Sequence, residues 1–160
     1  MNLVTLTGMV LALLGSTMPD PIAPVPSTTY RFLFDANSPI GPDGRDASLR
    51  EVAAFEAMYE AAGVPSAHLK FVIVLHGSRT QTVLTDEAYA AAHGGNRNPN
   101  IETIEALLKK HVRVIAAGAS DTEAQALATG VESGPISNMV FLDLENAGYI
   151  YTGTRNLSTE

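Results

Sequence analysis

Residues 70–79 read KFVIVLHGSR, in which five apolar side chains follow one another without a break. A run with no polar alternation suits a strand covered on both faces, as in a parallel sheet flanked by helices. The polar residues His76, Gly77, Ser78 and Arg79 arrive together at its carboxyl end. In open α/β sheets that is the end where ligand crevices form. One segment thus predicts a fold class and a location for chemistry.

The flanking sequence supports the same architecture. YRFLFD at 30–35 reads as a first strand ending in Asp35, and 36–45 (ANSPIGPDGR) as a turn-rich loop. Asp46 or Ser48 caps a helix reaching about Ala62, with Ser48 and Glu51 at capping-box spacing. Val52, Phe55, Met58, Tyr59 and Ala62 keep helical spacing, and Gly63 stops that helix. Residues 71–75 form the central strand, 82–92 a shorter helix and 93–100 a polar loop. Asn100 caps a helix with the apolar stripe Ile101, Ile104, Leu107 and Leu108. A third strand covers 112–117, and Ser120 with Glu123 makes a second capping box for a helix to about Thr129. Pro135 opens a last helix to Ala147, Gly148 stops it, and 149–152 closes as a short strand. Strands alternating with helices imply right-handed βαβ crossovers. The expected fold is a single-domain, Rossmann-like three-layer α/β structure with a mostly parallel central sheet.

The chain divides into an apolar segment at 1–18, a Pro-rich linker at 19–28, the α/β domain at 29–152 and a tail at 153–160. Residues 3–15 (LVTLTGMVLALLG) are too few to span a bilayer and resemble the h-region of a signal peptide, which implies export to a periplasm. No Lys or Arg precedes Arg31, so a docking helix or strand in a cytoplasmic chain is the alternative.

The net charge is −7 from 10 basic and 17 acidic residues, and no basic cluster occurs, which argues against a nucleic-acid partner. There is no cysteine, which excludes disulfides, thiolate metal sites, iron–sulfur clusters and a cysteine nucleophile. Gly94–Gly95 and Gly118 match no phosphate-binding loop, and His68, His76, His93 and His111 show no metal-ligand spacing. Neither a cofactor nor a metal is expected.

His76 is the leading candidate, either as an acid/base or ligand group or as a ring that fixes its own loop. Gly77 permits an unusual backbone or close approach of a ligand. Arg79 binds an anion or pairs with a carboxylate across a subunit interface. Asp35 orients His76 or bonds the loop that follows it. Asn98 touches a ligand or shapes a turn. Ser78 lacks the GxSxG context of a hydrolase nucleophile, and Tyr149 and Tyr151 read as packing or interface aromatics.

Four segments taken in order carry a resemblance: AAGVPSAHL, then FVIVLHG, then DEAYAAAHGGNRNPNIETIEALLKKHVRVIAAGAS, then NAGYIY. Together they resemble the DsrE/DsrF-like family, which is associated with sulfur oxidation and sulfur relay, over about residues 30–151. The resemblance implies a Rossmann-like fold and assembly into homo-oligomers, trimers or hexamers. In sulfur-handling members it also implies a persulfide-accepting cysteine before a Gly-x-Ser turn. Ala117 holds the matching position here, and a methyl group cannot carry a persulfide. The expected function is therefore non-covalent: binding of a small anionic ligand, or of a sulfur-relay protein, at a crevice formed by His76, Ala117, Gly118 and Ser120. The alternatives are an enzyme using His76, helped by Asp35, on a small anionic substrate, or a structural subunit beside a cysteine-bearing sulfur-transfer protein.

Overall fold

Five strands lie side by side in the order β4-β3-β2-β1-β5, every neighbouring pair parallel, in a computed structural model that describes residues 23–153. The proposed signal segment, part of the linker and nearly all of the tail lie outside the described residues. The strands are β1 (Tyr30–Asp35), β2 (Leu69–His76), β3 (Arg113–Ala117), β4 (Glu132–Gly134) and β5 (Ile150–Gly153). The helices are α1 (Ala47–Ala61), α2 (Asp86–Ala92), α3 (Ile101–Lys109), α4 (Asp121–Gln125) and α5 (Ser137–Asn146). The expected α/β class and parallel sheet are what the chain adopts.

The central position of β2 explains its unbroken apolar run. Phe71, Ile73 and Leu75 pack with Val52 of α1 and with Ile104 and Leu107 of α3, while Val72 and Val74 pack with Val140 and Leu144 of α5. Side chains alternate across a strand, so both sets are buried only because both faces carry helices. Edge-to-face rings stiffen the first layer, with Phe32 at 5.4 Å from both Phe55 and Phe71. Among the described residues, no helix is long and apolar enough to cross a membrane.

Several local expectations differ from the structure, each for an identifiable reason. The N-cap of α1 is Asp46, whose Oδ1 accepts from the Ser48 N–H at 2.9 Å. The expected Ser48–Glu51 box does not form, because Ser48 Oγ accepts from Ser38 N–H and Glu51 accepts from the Ser38 hydroxyl. In place of a helix over 82–92, a 3₁₀ segment covers Gly77–Val83, and α2 begins only after Thr85 caps it. Thr80 and Thr82 donate to the carbonyls of Gly77 and Arg79, local bonds that favour a tight turn. The Ser120–Glu123 box is present, yet α4 stops at Gln125. Its chain is drawn away where the Thr85 N–H reaches Ala126 O and the Ala128 N–H reaches Val83 O. Pro135 lies outside α5, since its carbonyl accepts from Gly118 N–H. Strand β4 has no signature in the sequence, because three residues, ESG, offer no periodicity.

One ionic cluster joins α1 to the end of α3. Lys110 Nζ donates to Glu56 at 2.6 Å and to Glu60 at 2.7 Å. Glu56 is only 1% exposed and its Oε1 has no hydrogen-bond partner. Burial raises the Glu56 carboxyl above its ordinary range despite Lys110, whereas the Lys110 bond lowers that of Glu60.

Candidate functional site

Alternation along the strands decides which side chains meet at the carboxyl edge of the sheet. Asp35 shares the α5 face with Leu33, and His76 shares it with Val72 and Val74. There His76 Nε2 lies 2.9 Å from Asp35 Oδ1, and the Tyr151 hydroxyl donates to Asp35 Oδ2 at 3.0 Å. An ionised carboxylate has no proton to give, so the chemistry assigns the hydrogen to His76 Nε2. In the neutral ring Nδ1 then carries the lone pair, and no described residue bonds to it. The His76 side chain is 40% exposed and that of Asp35 18%. Phe141 of α5 contacts both outer groups, with its ring centroid 6.3 Å from His76 and 5.8 Å from Tyr151. Burial and the adjacent Asp35 carboxylate raise the Tyr151 phenol, which keeps it a donor.

Of the residues expected from sequence, His76 and Asp35 come together and Gly77 follows them at a φ of 59°, with open space around its α-carbon. Ala117 pairs in register with His76, but it is 2% exposed and packs in the α5-side core. A small methyl there fills the core and offers a ligand almost no surface. The Gly118 N–H is committed to Gly134 O and Pro135 O, and the Ser120 hydroxyl to the α4 capping box.

Arg79 and Asn98 belong to a separate network that ties loops together. Arg79 Nη1 donates to Asp46 Oδ2 at 3.0 Å, and Asp46 is fully buried. The carboxylate partner foreseen across a subunit interface is thus found within the chain. Asn98 donates to the carbonyls of Thr82 and Leu84, and its Oδ1 accepts from the Asn100 N–H and amide group. With its polar atoms so bonded and 5% exposure, Asn98 clamps the 82–84 backbone to Asn100. Asn100 does not cap α3 with its side chain. Its Oδ1 accepts from Asp46 N–H and its amide donates to Gly44 O, joining sequence positions 54 and 56 residues apart.

Sequence reasoning missed two things. Tyr151 reads as a packing or interface aromatic because nothing in its local sequence announces a bond to Asp35 of β1. A second opening, a cleft of about 570 Å³, lies between the 40–44 loop, the 3₁₀ segment and α2 with its following loop. Tyr89 and His93 line it, stacked with centroids 4.1 Å apart, but His76, Asp35 and Tyr151 do not. Their four-residue spacing on a helix was the available signal. Among the described residues, no cluster of three His, Asp or Glu side chains has an arrangement able to hold a metal ion.

No protein-family model matches the chain, and no curated protein matches it. Among solved structures it is similar to a protein of unknown function, MTH1491 from Methanobacterium thermoautotrophicum, at a TM-score of 0.51 and 14% identity. The match covers 78% of this chain and 98% of that one. At such identity the likeness shows a shared fold.

Proposed function

We propose that this chain is a DsrE-like α/β protein that binds a small polar ligand non-covalently at His76, without sulfur-carrier chemistry. The observation that carries the reading is the 2.9 Å His76–Asp35 bond at the carboxyl ends of adjacent parallel strands, braced by Tyr151. Asp35 fixes the imidazole's tautomer and orientation, leaving Nδ1 to accept a hydrogen bond from a ligand. The missing cysteine and the buried Ala117 argue for recognition over group transfer. Arg79, three residues along the chain, is engaged by Asp46 and so is not free to meet an anion at His76, which favours a neutral, donor-bearing ligand. In a second reading, favoured by the same bond, His76 acts as a general base whose conjugate acid Asp35 stabilises.

Self-association belongs to the proposal. Ile136, just before α5, and Met139 and Leu142 on its outer side recur at three-residue intervals, and with Ile150 and Tyr151 they are exposed. A second copy of the chain covering this apolar surface would bring the His76 site to an interface. Export, with residues 3–15 as a cleaved leader, is the proposed location.

The test is a screen of small polar compounds by two-dimensional NMR on the protein and on Asp35→Asn. A ligand of this site shifts His76 imidazole resonances in the native protein and loses affinity in the variant. A screen that leaves the His76 ring unmoved removes the binding reading. A compound that is turned over by the native protein and not by His76→Ala establishes the general-base reading in its place.

A further inference from the structure

The cleft beside α2 has a feature that packing alone does not explain. Tyr89 is 7% exposed, yet none of the described residues accepts a hydrogen bond from its hydroxyl. Buried phenols ordinarily find a partner, because a desolvated hydroxyl left alone is costly. This hydroxyl is not among the sealed, partnerless atoms, so its small accessible surface opens to the cleft that Tyr89 lines. It also presses against another wall residue: a β-carbon at Gly44 would fall 2.5 Å from it, and Gly44 has a φ of 79°. Glycine there keeps the space before the hydroxyl clear.

The other walls give the ligand its chemistry. Ser78 and Gln81 present further polar groups, and no described residue bonds to either side chain. Arg97 gives Nε and Nη2 to Asp86, leaving Nη1 for the cleft, and its side chain is 84% exposed. The acidic wall residue, Asp43, already accepts from the Arg45 N–H and faces the Arg45 guanidinium at 3.7 Å. Ser78, Gln81, His93 and Asn96 can each donate or accept, so the bias of the walls comes from the Arg97 Nη1 hydrogens, which only donate, and from Asp43, whose carboxylate is already engaged. Apolar surface from Ile40, Pro42 and Pro99 completes them.

We propose that this cleft is a binding site for a small organic monocarboxylate, with the Tyr89 hydroxyl donating to the carboxylate and Ile40, Pro42 and Pro99 holding its apolar body. A dianionic phosphate fits less well, because the lining guanidinium, that of Arg97, is already paired with Asp86. The site is separate from His76 and stands or falls independently of the function proposed there.

The experiment uses the full chain, with benzoate and hexanoate as probes and inorganic phosphate and benzamide as comparisons, each titrated to about 10 mM and followed by amide NMR. The carboxylates are expected to shift the Gly44, Ser78, Tyr89 and His93 amides while leaving His76 unmoved. Tyr89→Phe keeps the ring stacked on His93 and removes only the unpartnered hydroxyl, so the fold is retained. It should weaken benzoate binding about tenfold, the scale of a hydrogen bond to a charged group. Unshifted cleft amides, equal affinity in Tyr89→Phe, or phosphate or benzamide binding as tightly as benzoate would each overturn the assignment.

Discussion

Replacing Glu56 by Met should make the protein more stable at neutral pH, although it deletes an ion pair. In the native protein Glu56 sits between α1 and α3 at 1% exposure, with Oε1 unbonded and Oε2 on Lys110. An unsatisfied buried polar group costs about 1–3 kcal/mol. The attraction lost is smaller. Lys110 keeps Glu60 at 2.7 Å, and its side chain is 41% exposed, so water screens it and the bond is worth about 1 kcal/mol or less. Met matches the length of Glu and adapts to irregular space. The balance is a gain of about 1–2 kcal/mol, or a melting temperature higher by about 3–8 °C. The pH dependence gives the sharper check. Burial raises the folded carboxyl above its ordinary 4.5, so between that value and the folded one the native state binds more protons than the unfolded state. Native stability therefore falls as pH rises through that window, and the decline ends above the folded value. Glu60 acts in the opposite sense, its lowered carboxyl adding stability that is lost in acid, and it is present in both proteins. The advantage of Glu56→Met should thus be largest near neutrality and shrink toward pH 4. Urea unfolding followed by circular dichroism, at several pH values, measures it. A variant destabilised by more than about 1 kcal/mol at neutral pH, or an advantage that does not change with pH, would refute the reasoning.

Lys110→Met leaves Glu56 buried without its cation and should cost about 2–4 kcal/mol at pH 8 and less at pH 5, read by the same urea curves. Asp46→Ala removes the α1 cap and strands Arg79, so a loss of about 3 kcal/mol is expected from thermal unfolding, against about 1 kcal/mol for an exposed cap. Leu142→Asp on the outer side of α5 should lower the mass measured by light scattering to that of the monomer while leaving the circular dichroism spectrum unchanged. Tyr151→Phe should keep the fold but alter the nitrogen shifts of the His76 ring, since it removes one of the donors that hold Asp35 in place.

The fold was legible because burial writes itself into sequence at short range. The FVIVL run, the Ile104–Leu107 stripe and the Gly63 and Gly148 stops each depend on a few neighbouring residues, and each holds. Half of the candidate site was legible for the same reason, since strand ends expose Asp35 and His76. The rest depends on partners far along the chain. Asn100 satisfies a cap position by composition, yet its side chain goes to Gly44 and Asp46. Arg79 looks like a free cation until Asp46 is brought to it. The Ser48–Glu51 pair has capping-box spacing, but Ser38 claims both side chains. Local pattern names the groups available for bonding, and tertiary approach chooses among them.

The order of the sheet also has a consequence for how the molecule is made. Strand β5 is the last of the described elements and pairs with β1, the first of them, and the Asp35–Tyr151 bond spans 116 residues. During synthesis, β1 to β4 can pair in succession while one flank of β1 stays open. Closing so long a loop adds only about 0.6 kcal/mol for each doubling of its length, but pairing of such separation is slow. His76 and Asp35 can meet early, whereas the Tyr151 brace arrives only with the final strand. The His76 environment is therefore a marker of completed folding, and a chain truncated before residue 150 would carry the pair without its third member.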